Sequence, residues 1–390
     1  MKIERIEVVV TDLEGRLQRQ IASGPYDTGG RGGLTGKPVL VRLYAEGVVG
    51  LGQIRPIAPS HLLPDTVRSM VSAIVEYYGP RLIGTDLADV ESAWQMFDRT
   101  LAFNANARAA LDHAVVDALG KAYGVPAYAL LGGLCQPRVP LEWSVSIADE
   151  TATMVAEAVA AVERFGIRVL CVKAGHAGGW RRDVVNFRAV RAAVGADVAV
   201  GVDANMGWSV PDAKRAVLAM AEVGLDYIEQ PIERRNVAGL AAIRTLAAGI
   251  PVMADESLLT LQDAHALALA GAVDVFCIKL YRVGGLHIAK KIAAVAESAG
   301  ILLNVGGLAA FSQLEAAAGA HFYASTPTAQ TMPAAEFVFG LGVIGRDPLV
   351  PEPAYTIDDG CVVVPALPGL GVTIDEAQLT RLTLMREAVA

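Results

Sequence analysis

Cysteine is scarce and scattered in this chain of 390 residues, with four in all, at Cys135, Cys171, Cys277 and Cys361. None forms a CxxC pair, so neither a disulfide framework nor a zinc site is expected. The default compartment for such a chain is the cytoplasm. The six histidines are equally dispersed, and no HExxH pair occurs. There is no long basic run and the net charge is −8, which argues against nucleic acid as a partner. No stretch reaches the roughly 18 uninterrupted apolar residues of a membrane-spanning helix. The opening MKIERIEVVVTDLEG alternates like a strand and carries charges in its first five residues. It lacks the continuous apolar segment of a signal peptide. A GxGxxG turn after the first strand is also missing, which removes the main mark of a dinucleotide-binding doubly wound sheet.

What the chain does have is apolar material: 53% hydrophobic against 19% charged residues, a balance that builds a large core and excludes disorder. Its length exceeds one ordinary core, so two domains, or one large barrel with a smaller domain, are expected. Ile3–Val10 and Val39–Tyr44 alternate as strands. Between them Ser23–Lys37 is glycine-rich and reads as a mobile loop. Helical periodicity then dominates from Pro64 to Tyr123. From Val139 short apolar runs alternate with alanine-rich helical stretches, which implies parallel strands with crossover helices. Seven or eight such units suggest a closed barrel. The expected fold class is therefore α/β: a (β/α)7–8 TIM-like barrel over residues 133–346, with an α+β capping domain at 1–132. Residues 347–390 are rich in Pro and Gly and are expected to return to the capping domain.

Active-site groups of such barrels stand at the C-terminal ends of the strands. Five ionisable residues occupy those places. Lys173 follows VLCV, Asp203 ends VAVGVD, Glu229 follows DYI, Asp255 follows PVMA and Lys279 follows VFCI. Their separations are 30, 26, 26 and 24 residues, about one βα unit each, so all five share one rim. Any one acid at a strand end could be a helix cap or a surface ion pair. Five at unit spacing, in the order + − − − +, are hard to explain that way. Three carboxylates suit a hard divalent cation, Mg²⁺ or alternatively Mn²⁺, with positions left for a substrate carboxylate. Such a cation favours the charge that develops when an α-proton leaves. A lysine on each side can remove or deliver that proton, made usable near neutral pH by burial and a nearby cation.

These residues resemble the enolase superfamily, in its muconate-lactonizing subgroup within the mandelate racemase/muconate lactonizing enzyme family. The resemblance runs through ARAALDHAVVDALGKAYGVPAYALLGG (Ala107–Gly133), VDANMGW (Val202–Trp208), IEQP (Ile228–Pro231), MADES (Met253–Ser257), IKLYRVGG (Ile278–Gly285) and PGLGV (Pro368–Val372). It implies Asp203, Glu229 and Asp255 as metal ligands, with Asn205 and Glu256 supporting the metal site. It implies Lys173 as the second lysine of a KxK motif, with Lys279 facing it across the substrate. Enolase-type sites pair a Lys or His base with Mg²⁺. Glu336, in AAEFVFG, resembles a glutamate on the eighth strand of muconate cycloisomerases. Two departures stand out. Cys171 replaces the first lysine of KxK, and a small buried thiol is the plainer reading of it than a nucleophile. Strand seven reads NVGGLAAFS from Asn304. Candidate substrate contacts are Cys171, Asn304 and Glu336, together with Tyr26, Arg31 and Lys37 in the glycine-rich loop and Arg55. The three loop residues equally fit a solvated flexible loop, and Glu336 equally fits a surface charge.

The reaction classes these residues admit are three: a cycloisomerase of the muconate type, a racemase or epimerase of an amino-acid derivative, and a dehydratase. All share removal of an α-proton from a small carboxylate substrate. A metal-binding relative without turnover is the non-enzymatic alternative, and a homo-oligomer is the family's habit.

Overall fold

A computed structural model describes residues 1–13, 18–27, 33–57, 60, 62–307, 312–343 and 345–390, leaving aside the side chains of Gln18, Tyr26, Asp27 and Pro333. Among them, no helix is long and apolar enough to cross a membrane.

The first layer is an antiparallel sheet. Strand β1 (Ile3–Thr11) pairs with β4 (Val39–Ala45), which pairs with β5 (Val48–Ile54). A hairpin of β2 (Gln18–Ile21) and β3 (Gly24–Asp27) lies between them in sequence. The glycine-rich segment read as a loop from Ser23 thus begins as a strand: Tyr26 pairs with Arg19 through the backbone. Arg31 lies outside the described residues.

The second layer is the helix Ala105–Tyr123, whose small residues decide how closely it approaches β5. A Cβ on Gly50 would sit 2.0 Å from the Ala114 carbonyl oxygen, and one on Gly52 2.0 Å from that of Ala110. Glycine at alternate strand positions therefore meets a helix face with a four-residue repeat, and only glycine permits the contact. Acids on the same helix bind the domains together. Asp112 accepts from the backbone N–H of Leu286 at 2.6 Å, capping the barrel helix Leu286–Ala299. Asp117 accepts from Leu51 and Leu370 at 2.8 and 2.7 Å.

The third part is a ring of parallel strands. In chain order they are β6 (Arg138–Pro140), a side strand, then the ring itself: β7 (Glu142–Val145), β8 (Val169–Lys173), β9 (Ala199–Asp203), β10 (Ile228–Glu229), β11 (Val252–Ala254), β12 (Val275–Ile278), β13 (Leu302–Val305) and β14 (Thr331–Ala335). Seven of these ring strands coincide with apolar runs in the sequence. Neighbours from β7 to β14 pair in parallel in one eight-stranded sheet. A parallel bridge between Leu141 and Ala335 joins its two edges. Helices of nine to fifteen residues link successive strands and bury their apolar faces against the ring. Strands β15 (Ile357–Asp358) and β16 (Cys361–Val363) add to β6. The chain ends in β17 (Thr383–Val389), antiparallel to β1.

One buried histidine stabilises this return and makes it pH-sensitive. Tyr128 N–H donates to His321 Nδ1 at 3.2 Å. Tyr355 donates its hydroxyl proton to the Leu370 carbonyl at 2.5 Å, and its oxygen lies 2.9 Å from His321 Nε2. Nε2 must therefore carry the proton, which leaves His321 neutral with both nitrogens engaged. Burial lowers its pKa from 6.5 to about 4. The folded chain resists a proton that the unfolded chain accepts, so stability falls as pH drops from about 6.5 towards 4. The expected loss between pH 7 and pH 5 is about 2 kcal/mol from this group. Denaturant midpoints at the two pH values should move closer together in His321→Gln; an unchanged gap would remove His321 as the cause.

Candidate active site

The C-terminal ends of the ring strands carry the charged residues. Numbered around the barrel, Lys173 closes the second strand, Asp203 the third and Glu229 the fourth. Asp255 and Lys279 follow the fifth and sixth directly, and Glu336 follows the eighth. Register agrees: Lys173 pairs with Asp203, and Asp203 with Glu229. The two lysines are four strands apart in a ring of eight, so they face each other across the barrel, with three acids on one arc between them and Glu336 on the other.

All six side chains are buried. Lys173 Nζ lies 2.5 Å from Asp203 Oδ2 and 3.7 Å from Glu336 Oε1. Lys279 Nζ lies 2.8 Å from Asp255 Oδ2 and 3.9 Å from Glu336 Oε2. One carboxylate thus reaches both lysines. Burial acts to lower the lysine pKa values, but Asp203 beside Lys173, Asp255 beside Lys279, and Glu336 near both outweigh it and raise them. Burial pushes the Glu229 carboxyl well up, helped by the charges of Asp203 and Asp255. Glu256 rises to about 8, first through burial and then through Asp255 and Asp203. Burial acts upward on Asp255 too, but Arg282 and Lys279 more than offset it and hold its carboxyl below the ordinary value.

Asn205 supports this arc. Its backbone N–H donates to Asp203 Oδ1 at 2.7 Å and its side-chain amide to Glu256 Oε1 at 3.0 Å. Asn205 and Met206 have φ of 40° and 64°, a conformation that costs energy in non-glycine residues and concentrates at functional sites. Glu229 Oε1, Glu256 Oε2 and Asn205 Oδ1 are buried and accept no hydrogen bond among the described residues. Crowded, uncompensated oxygens of this kind fit a hard divalent cation in chemistry and in charge.

Three contributors were not singled out in the sequence. Arg282 Nη1 donates to Asp255 Oδ1 at 2.6 Å; it stands three residues after Lys279, in IKLYRVGG. Gln230 Oε1 accepts from the backbone N–H groups of Asp255 and Ser257, both at 3.0 Å, and so sets the fifth strand's end against the fourth's. Its signal was the Q of IEQP. Glu142 accepts from Asn304 Nδ2 at 3.3 Å. Burial, then the charge of Glu336, raises its carboxyl to about 8. An acid within the apolar run LEWSV was its only mark.

Cys171 lies one layer below Lys173, with Sγ 3.6 Å from Glu229 Oε2. Burial pushes its thiol well up, which argues against a nucleophile in the metal-free chain. Asn304 joins the floor, 3.8 Å from Cys277 Sγ. The remaining candidates make capping-domain contacts. Lys37 Nζ lies 2.5 Å from Asp12 Oδ1, and Arg55 Nε donates to the Gly36 carbonyl at 2.6 Å. The side chain of Tyr26 and all of Arg31 lie outside the description.

The departing seventh strand has a steric role. A Cβ on Gly306 would stand 2.5 Å from Lys279 Cε and 2.7 Å from Cys277 Sγ. Gly306→Ala should therefore displace the Lys279 amine and lower turnover by about 10-fold or more, the scale of a small misplacement. Denaturation midpoints should move less than the rate does. Full activity in the variant would show that Lys279 has room to spare.

Fold and site together define a capped barrel enzyme of eight parallel strands joined by seven helical connections, with a lysine–carboxylate centre on its C-terminal rim. Residues 153–378 match the family model described as enolase C-terminal domain-like. Residues 15–132 match the mandelate racemase/muconate lactonizing enzyme N-terminal domain. The chain belongs to this family, within the muconate-lactonizing subgroup of the enolase superfamily. It is 33% identical over 385 residues to muconate cycloisomerase 1-1 of Acinetobacter lwoffii, covering 98% of this chain and 96% of that one. The muconate lactonizing enzyme of Pseudomonas fluorescens, solved with muconolactone, superposes with a TM-score of 0.88 at 30% identity, over 98% of this chain and 99% of that one. A dipeptide epimerase of Enterococcus faecalis, solved with Mg and L-Leu-L-Tyr, gives 0.84 at 29% identity, over 96% and 100%.

Proposed function

We propose that this chain is an isomerase that moves the proton α to a carboxylate of a small substrate, acting as a cycloisomerase of the muconate type. The observation that carries the reading is the placement of Lys173 and Lys279 on opposite sides of the barrel, with three acids on the arc between them. Asp203, Glu229 and Asp255 would hold a divalent cation, Mg²⁺ or Mn²⁺, with Asn205 and Glu256 orienting them. Bound there, the cation would supply positive charge beside the oxygens that become more negative as the α-proton leaves.

The chain's own residues do the rest. Lys173 and Lys279 hold or take up a proton at Nζ, one on each face of the α-carbon. In the lactone-forming direction a carboxylate oxygen adds to the diene and the α-carbon gains a proton from one lysine. In the reverse direction the same amine removes it. Neutralising the acids that now raise the lysine pKa values moves those values back towards neutrality. Glu336, 3.7 and 3.9 Å from the two amines, keeps negative charge beside both and so positions them. The burial of all six side chains keeps bulk water from the exchange.

A second reading is an epimerase of an amino-acid derivative, favoured by the same opposed lysines, since inversion at one carbon needs an acid and a base on opposite faces. The two separate in D₂O. A cycloisomerase bleaches the conjugated diene of cis,cis-muconate and places one deuterium in the lactone. An epimerase leaves muconate untouched and labels both stereoisomers of a dipeptide or N-acyl amino acid. Label in neither, with the divalent ion bound, would sink both.

A further inference from the structure

Below the acids of the rim, the barrel floor carries a second set of donors. Cys171 stands two residues before Lys173 on β8, so its side chain faces the barrel interior one layer deeper. Glu142 enters from β7, and Glu229 reaches down from β10. One ligand atom from each of these three buried residues lies within 4.8 Å of the other two. We propose that Glu142, Cys171 and Glu229 form a site for a thiophilic divalent cation, Zn²⁺ or Cd²⁺, distinct in donor chemistry from the all-oxygen set on the rim.

Three observations support it. The distance from Cys171 Sγ to Glu229 Oε2 is 3.6 Å. A tetrahedral ion with a sulfur ligand at about 2.3 Å and an oxygen at about 2.1 Å has an S–O edge of about 3.6 Å. Two of the three donors are thus already spaced as one edge of such a site. Second, the other oxygen of Glu229, Oε1, is buried and accepts nothing among the described residues. The oxygens of Asp203 and Asp255 differ: they accept from Lys173, Asn205, Lys279 and Arg282. Third, a thiolate among carboxylates shifts preference from hard ions such as Mg²⁺ towards Zn²⁺ and its heavier congener. Binding forms a metal–sulfur bond as the S–H bond breaks, and the thiol proton goes to solvent together with any proton held on the Glu142 and Glu229 carboxyls, so at least one proton leaves per ion bound. No electron transfer is involved. Because Glu229 belongs to both sets, filling the floor withdraws it from the rim, so the two occupancies oppose each other.

The test needs no substrate; its Cd²⁺ arm is independent of the isomerase reading, while its Mg²⁺ arm rests on Mg²⁺ binding to the rim, which calorimetry of the same protein with Mg²⁺ alone checks first. The starting protein is the metal-stripped full chain with the two outer thiols removed (Cys135→Ser, Cys361→Ser). Titration with Cd²⁺ is followed by ultraviolet thiolate-to-cadmium absorption. One equivalent of the band is expected, with at least one proton released. Cys171→Ser should abolish it, and Cys171→Ala should do the same if the serine variant folds poorly by circular dichroism. Cys277→Ser should keep it. Saturating Mg²⁺ should weaken Cd²⁺ binding at least 10-fold. No band in the starting protein, a band that survives loss of Cys171, or one that follows Cys277 would overturn the assignment. Indifference to Mg²⁺ would remove the shared Glu229 and with it the site as drawn.

Discussion

Lys279→Ala should lower the rate of α-proton exchange by about 10²–10⁴-fold, the range that a positioned acid/base group contributes. The fold should survive, because the neighbouring groups remain satisfied: Asp255 keeps Arg282 at 2.6 Å and the backbone frame of Gln230. Metal affinity should hold or rise. The lysine competes with any cation for Asp255 Oδ2, so removing it frees an oxygen. This combination separates an acid/base role from a structural one, since a lysine that merely held the site together would weaken the metal when lost. The check pairs single-substrate deuterium exchange with calorimetric titration of the divalent ion. Lys173→Ala supplies the mirror experiment. If each lysine serves one face, each variant should lose exchange from one stereoisomer first.

Glu229→Gln should cost at least about 100-fold in divalent-metal affinity, beyond what loss of an outer partner alone costs. The substitution keeps the shape and removes one charge. In the metal-free chain that is a relief, because burial, Asp203 and Asp255 all act against the Glu229 carboxylate. The variant without metal should therefore be as stable as the parent or more stable. The parent should gain about 2.7 kcal/mol when the ion is present at a hundred times its dissociation constant. The variant should gain about 0.4 kcal/mol or less at the same concentration. Thermal unfolding with and without Mg²⁺ reads both effects. Equal stabilisation of the two proteins would place the ion elsewhere.

Much of this was legible in the residues, and the reason is geometric. A closed parallel barrel puts every strand end on one rim, so a period of about one βα unit converts sequence spacing into spatial neighbourhood. Lys173, Asp203, Glu229, Asp255 and Lys279 could be placed on that rim before any coordinates. What lies within the barrel was harder to read. Glu142 and Cys277 occupy strands whose periodicity looks like ordinary core, and which partner a buried side chain meets depends on shear between strands. Arg282 follows a single turn after its strand, a spacing shared with many surface arginines. The eighth strand escaped because Thr331–Ala335 (TMPAA) contains a proline and no strong apolar run. The glycine-rich segment misled in the other direction: Gly24 and Pro25 read as loop, yet backbone pairing with Gln20 and Ile21 makes them a strand.

The resemblance in AAEFVFG pointed to Glu336 at the eighth strand, but its reach to both lysines and the steric role of Gly306 came from distances alone. Nothing in AAEFVFG says that its glutamate lies 3.7 and 3.9 Å from two lysines on opposite sides of a barrel.

The central claim is that these lysines move an α-proton beside a divalent cation. The most direct measurement is proton magnetic resonance of the α-hydrogen in D₂O, with the wild-type chain and a panel of dicarboxylates, muconolactone, dipeptides and N-acyl amino acids. The account predicts that one class loses its α-signal in the presence of Mg²⁺, and that EDTA stops the loss. It also predicts that Lys279→Ala stops the loss without releasing the metal. Turnover of a substrate with its α-signal intact, or exchange that continues undiminished in EDTA, would contradict it.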